Sequence, residues 1–244
     1  MKKLFSLITM TVLASVTLAI WMASRNRFQQ SAEYFPLAPK SNWTYRVTSK
    51  SQRLQFVVVD RVVGVKYIPA LKLAGVVVDE LYNMDRGGTR PVVYFAKDGY
   101  LTRVSGLDYD HENIQAPAWG RSEDASFLPA HLLPNASWTS EDLPFGHLTG
   151  GFTLAQIHHS FRDVVEVQVA AGDFGRCIRI DTRTEYRGGP YAKFHKKLTL
   201  VYTDWYAPDV GLVKTIAYED GPGGAEVERV ELIRFNIGPI PQQQ

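Results

Sequence analysis

The chain predicts an all-β fold, a curved antiparallel sheet or sandwich of about ten strands. Three observations carry that expectation. From Tyr34 onward, runs rich in Val, Ile, Tyr and Phe recur between short Gly, Pro and Asp turns, which is the pattern of strands and their connections. Residues 178–186 alternate without a break: Ile178, Ile180, Thr182, Thr184 and Tyr186 share one face, Arg179, Asp181, Arg183 and Glu185 the other. No helical period long enough to supply the crossovers of a parallel sheet occurs after residue 33.

Taken in order, the first strands are Leu54 to Tyr67, with Val57-Val58-Val59 and Val62-Val63, and Leu73 to Tyr82, with Val76-Val77-Val78. Pro91 to Ala96 follows, and Gly64, Gly75, Gly87-Gly88 and Asp98-Gly99 interrupt these runs. Ser105 to Asn135, rich in Pro, Asp and Glu, reads as one long irregular connector, a length that a compact domain keeps for function or for joining two halves. Beyond the alternating strand, Lys196 to Tyr206, Leu212 to Glu219 and Glu226 to Ile237 continue the series. Their connections are Pro208, Gly211 and the run Gly221-Pro222-Gly223-Gly224, turns short enough to demand antiparallel neighbours.

The 244 residues hold 27 Lys and Arg against 25 Asp and Glu, but four of the bases, Lys2, Lys3, Arg25 and Arg27, lie in an acid-free start. Removing them leaves 23 bases against 25 acids, so the remainder is nearly neutral and unsuited to tracking phosphates; no nucleic-acid partner is expected. Leu4 to Ala23 is twenty residues without a charge, and reads as an export signal or a retained membrane anchor. Leu4, Leu18 and Trp21 would be its membrane contacts, with Trp21 beside Arg25 and Arg27 suiting an interface. Either outcome puts the rest of the chain in the periplasm or on the outer face of the cytoplasmic membrane, with the membrane as a partner if residues 4–23 stay. A single cysteine, Cys177, excludes an internal disulfide, and a small half-buried strand residue is the expected role for it.

The expected organisation is a signal or anchor over 1–23, a linker over 24–33, a β domain over 34–237 and a tail over 238–244. Two stretches echo each other. Tyr34-Phe35-Pro36-Leu37 leads to Asn42-Trp43-Thr44, and Phe127-Leu128-Pro129 leads through Leu133-Pro134-Asn135 to Trp138-Thr139. Asp98-Gly99-Tyr100-Leu101 and Asp209-Val210-Gly211-Leu212 form a second pair, so two related half-units, about 34–106 and 127–237, are expected.

Three segments, YFPLAPKSNWTY at 34–45, AGDFGRCIRI at 171–180 and DWYAPDVGLVK at 204–214, resemble the landmarks of the TapB-like family of bacterial envelope proteins of unknown function. The chain departs from that pattern at Ser41-Asn42, where Gly-Asn is usual, and at Asp173, where Thr is common. The resemblance spans most of residues 34–236; it implies an envelope compartment and a β architecture, and brings no activity or cofactor.

Chemistry is thinly signalled. Asp108, Asp110, His111 and Glu112 form the densest polar cluster, with oxygen donors at alternate positions and one imidazole, a candidate metal site lacking the rest of a calcium loop. His158-His159 with His147, and Glu141 or Asp142, is a second metal candidate, although neighbours on a strand point to opposite faces. Nucleophile, phosphate-cradle and dinucleotide motifs are lacking, so no cofactor is expected. Trp43, Trp119, Trp138, Trp205 and Tyr206 are the candidate ligand contacts, aromatic surface on a curved sheet that suits an acyl chain or a glycan. The functional expectation is binding rather than catalysis, with a tethered interaction subunit of a larger complex as the alternative.

Overall fold

A computed structural model describes residues 33–50, 52–69, 71–83, 88–105, 107–110, 113–115, 123–133, 135–146, 152–186, 200–219 and 224–239. The expected anchor contacts Leu4, Leu18 and Trp21 lie outside them, and among the described residues no helix is long and apolar enough to cross a membrane. The strands are β1 (Asn42–Ser49), β2 (Leu54–Ile68), β3 (Leu73–Asn83), β4 (Thr89–Lys97), β5 (Tyr100–Ser105), β6 (Asp108–Asp110) and β7 (Asn113–Gln115). They continue with β8 (Glu123–Pro129), β9 (Ser137–Gly146), β10 (Phe152–Val169), β11 (Gly172–Tyr186), β12 (Leu200–Ala207), β13 (Gly211–Glu219) and β14 (Glu226–Asn236).

Twelve of these form one antiparallel sheet in the order β8-β5-β4-β3-β2-β1-β14-β13-β12-β11-β10-β9, curled into a nearly closed barrel. The all-β expectation holds, with fourteen strands among the described residues in place of about ten. The difference lies in the stretch from Ser105 to Asn135, which contains β6, β7 and β8 rather than irregular chain. The run Glu123-Asp124-Ala125-Ser126-Phe127-Leu128-Pro129 has no β-branched residue, so propensity did not mark it; pairing with β5 makes it a strand.

The strand order divides the sheet into two six-strand meanders, β1 to β5 plus β8, and β9 to β14. They meet at two seams. At one, β1 and β14 form a full ladder from Asn42↔Asn236 to Ser49↔Glu228. At the other, β8 and β9 share no ladder, and side chains bridge them: Trp138 Nε1 and Ser140 Oγ both donate to the Ser126 carbonyl, at 3.1 and 3.3 Å.

The described chain begins at the barrel end where β1 starts, with the Asp209 amide donating to the Glu33 carbonyl at 2.7 Å. Phe35 plugs that end: its ring lies 4.9, 5.0 and 6.4 Å from those of Tyr94, Phe127 and Tyr206, on β4, β8 and β12. An eight-stranded barrel is just filled by its own side chains, so a twelve-stranded one needs such a plug to stay dry at one end. Outside the barrel, the β6–β7 hairpin covers Val77, Val93 and Val104 with Leu107 and Ile114, all buried.

Two hairpins outgrow the barrel. β2 pairs with β1 only through Arg61, and β3 pairs with β4 only from Val76, so residues 62–75 form a two-stranded flap. Likewise β10 pairs with β9 only to Ser160 and β11 with β12 only from Ile178, leaving residues 161–177 as a second flap. Each flap starts at a register shift, between Val62 and Gly64 and between Phe161 and Asp163. A bulge of this kind adds one residue and bends the strand. Gly64, at φ 130°, takes a conformation that side chains disfavour.

Candidate functional site

The two flaps end differently. In the second, the Ala171 amide donates to the Leu232 carbonyl at 3.1 Å, and Val167 and Cys177 pack into the core with Leu232, Val213 and Ala207. Cys177 is completely buried rather than half-buried; its thiol lies 3.5 Å from the Phe174 carbonyl, and burial pushes its pKa up to about 11. A thiol held protonated there is inert.

In the first flap Val62 and Ile68 are buried, but the inward face beyond the bulge stays bare. Val65 is 72% exposed and Tyr67 66%, although the register Val65↔Val76 keeps both in phase with the barrel's inner side. Under this flap lies an open cleft of about 470 Å³, walled by Val65, Leu73, Ala74, Val76 and Phe95, with Lys97 at its rim. Gly75 shapes its floor: a Cβ there would stand 2.6 Å from Val93 Cγ1 and 2.9 Å from the Tyr94 oxygen. Only glycine lets β3 pass so close to β4.

Above the plug the barrel interior is polar. Glu80 Oε1 accepts from Arg103 Nη2 at 3.1 Å and Glu80 Oε2 from the Tyr82 hydroxyl at 2.9 Å. Asp60 stands opposite Glu80 in the β2–β3 ladder, and its Oδ1 is buried without a donor. Burial, then the Glu80 charge, push its pKa up to about 7, against the pull of Arg103. Across the barrel Asp204 accepts from Thr215 Oγ1 at 2.6 Å, and burial holds its pKa near 6, against the pull of that bond. Burial would weaken the Arg103 charge, but Tyr94 and Glu80 more than offset it, and its pKa rises. A third of the Arg103 side chain remains accessible to solvent.

His159, two residues ahead of the second flap, stacks on Trp138 at 5.0 Å and 14°. Its Nδ1 lies 3.0 Å from Thr182 Oγ1, its Nε2 has no partner, and burial lowers its pKa to about 4. His158 points the other way, 3.8 Å from Glu185, as adjacent strand positions require. Asp108 and Asp110 lie on β6, and Glu141 and Asp142 on β9; His111, Glu112 and His147 are outside the described residues. Among the described residues no three metal-ligating side chains converge.

The aromatic candidates are spread through the barrel. Trp43 is buried and donates from Nε1 to the Val210 carbonyl at 2.5 Å; Trp138 and Tyr206 share a second buried cluster. Trp205 faces out, with the Lys214 ammonium 5.7 Å from its ring centre, and Trp119 is outside the described residues. None of the four described residues lines the cleft. The alternating strand also shows a difference: Asp181, expected on a wet face, is buried under Arg162 at 2.8 Å and accepts from Thr203 Oγ1 at 2.9 Å.

Sequence reasoning missed the cleft and the polar interior. Asp60, Glu80, Arg103 and Asp204 each sit in phase with apolar neighbours two residues away, and that was the available signal.

No known protein family and no curated protein matches the sequence. Two solved structures are similar over 83% of this chain and 98% of their own, each at 15% identity. One is a Bacteroides fragilis protein provisionally described as exported, with a YmcC-like fold, at a TM-score of 0.46. The other is a Parabacteroides distasonis protein provisionally described as a lipoprotein, at 0.44. Neither is described as TapB-like, and likeness at this level transfers no function.

Proposed function

We propose that the chain is a non-catalytic, extracytoplasmic binding protein whose ligand is an apolar chain with an anionic head. The uncharged stretch from Leu4 to Ala23 supports the compartment. The cleft under the first flap carries the ligand class: its volume of about 470 Å³ is that of a small-molecule site, and its walls are aliphatic and aromatic. Lys97 also lines the cleft; it already has an interaction within the protein, which the carboxylate or phosphate of an acyl lipid would share. A glycan would need convergent polar donors, and the lining offers few.

The test is displacement of an environment-sensitive fatty acid from the full chain. Ala74→Trp, at an exposed position in the cleft wall, should weaken binding at least tenfold, and Lys97→Glu should weaken the acid but not the matching alcohol. Equal binding by wild type and Ala74→Trp contradicts the assignment. The exposed pair Val65 and Tyr67 supports a second reading, a tethered subunit that presents this flap to a partner. In that case no fatty acid binds at all.

A further inference from the structure

The flap carries a surface that the cleft does not explain. Tyr67 is widely exposed and does not line the cleft; Val63, at the bulge four residues earlier, is also exposed. From Arg61 to Val78 the sequence contains no acid, and both of its lysines, Lys66 and Lys72, are exposed. The second flap, at the same barrel end, presents Asp163, Glu166 and Asp173 instead, with Arg162 and Arg176. One side of this end is therefore apolar and basic, the other mixed.

Position supplies the occupant. Glu33, bonded to the β12–β13 turn, lies at this same end of the barrel, and residues 24–32 separate it from the uncharged stretch that ends at Ala23. Nine residues reach at most about 30 Å fully extended. With residues 4–23 in a bilayer, the end bearing the flap is held close to that bilayer. An aromatic and two aliphatic side chains among lysines match an anionic interface, where apolar groups enter the headgroup boundary and lysines are drawn to the lipid phosphates.

We infer that the first flap is a membrane-contact element: Val63, Val65 and Tyr67 enter the headgroup region of an anionic bilayer, and Lys66 and Lys72 pair with lipid phosphates. The inference shares Val65 with the acyl-chain reading, but Val63, Tyr67 and both lysines lie outside the cleft lining.

Full-length Tyr67→Cys, carrying an environment-sensitive fluorophore, is reconstituted into phosphatidylcholine vesicles with and without phosphatidylglycerol. The native Cys177 is buried, so labelling is directed to residue 67. A blue shift and protection from an aqueous quencher are expected with phosphatidylglycerol only. The shift should vanish when Lys66→Glu and Lys72→Glu are added, and should not occur for a label at Val164→Cys on the second flap. A label at 67 that stays aqueous in both vesicles overturns the inference, as does an equal shift at 164. A label that turns apolar only when envelope proteins are supplied assigns the face to a protein partner and overturns it too. Displacement of the fluorescent fatty acid is scored separately on the unlabelled protein, so failure of the cleft assignment is seen apart from these readouts.

Discussion

The flaps at residues 62–75 and 161–177 occupy corresponding places in the two meanders, each the overgrown tip of a second and third strand. One is tied to the barrel end through the bond from Ala171 to Leu232 and sends Val167 and Cys177 into the core, although Val164 stays exposed. The other keeps Val65 and Tyr67 in water above an apolar cleft. Burying such groups stabilises by about 25 cal/mol per Å² of apolar surface, so the bare flap forgoes stabilisation that its counterpart obtains. The difference locates the exposed apolar surface that stability leaves unexplained.

The largest effect that tests this contrast is a pair of truncations. Leu232→Ala, beneath the closed flap, is expected to cost about 3–5 kcal/mol, and Val65→Ala, on the open one, under about 0.5 kcal/mol. Urea midpoints of the two variants measure it. Comparable losses would mean that the open flap is also packed in solution.

Next in size is an opposition in pH dependence. Asp60 precedes the first flap and His159 the second, and each keeps one buried polar atom without a partner. With Asp60 at about 7 when folded against 3.8 unfolded, the native state holds the extra proton between those values, and stability falls as pH rises through that window. His159, at about 4 against 6.5, is neutral when folded, so its contribution falls as pH drops from 6.5 toward 4. Asp60→Asn should therefore stabilise the protein by about 2–4 kcal/mol at pH 8 and by much less at pH 4. A gain independent of pH would place Asp60 in water.

How much of this was legible follows from the same residues. Alternation in Ile178, Ile180, Thr182 and Thr184 fixed one strand and its inward face, because a half-buried strand writes its period into the chain. The flap was not readable that way. Val62-Val63-Gly64-Val65-Lys66-Tyr67-Ile68 looks like continuous core, and only the register shift at Gly64 decides which side later residues take. Asp181 shows the converse: its charge pattern reads as wet, but the guanidinium of a half-exposed Arg162 and the Thr203 hydroxyl hold it buried. Trp43 and Trp138 lie on the first strand of each six-strand run. Both serve the scaffold, each donating its indole N–H to a backbone carbonyl.

The smallest expected effect concerns the seams. Trp138→Phe removes the donor that ties β9 to the Ser126 carbonyl, and should cost about 1–2 kcal/mol with faster amide exchange in β8 and β9. Exchange at the laddered β1–β14 seam should not change. Uniform acceleration at both would show that the barrel opens as one unit.

The central claim is that the cleft beneath the open flap holds an acyl lipid. Native mass spectrometry of the wild-type protein and of Ala74→Trp, both purified from the envelope, tests it most directly. The account predicts a lipid-sized adduct on the wild type that is depleted in the variant. A wild type with no adduct, or an adduct equally abundant on both, would contradict it.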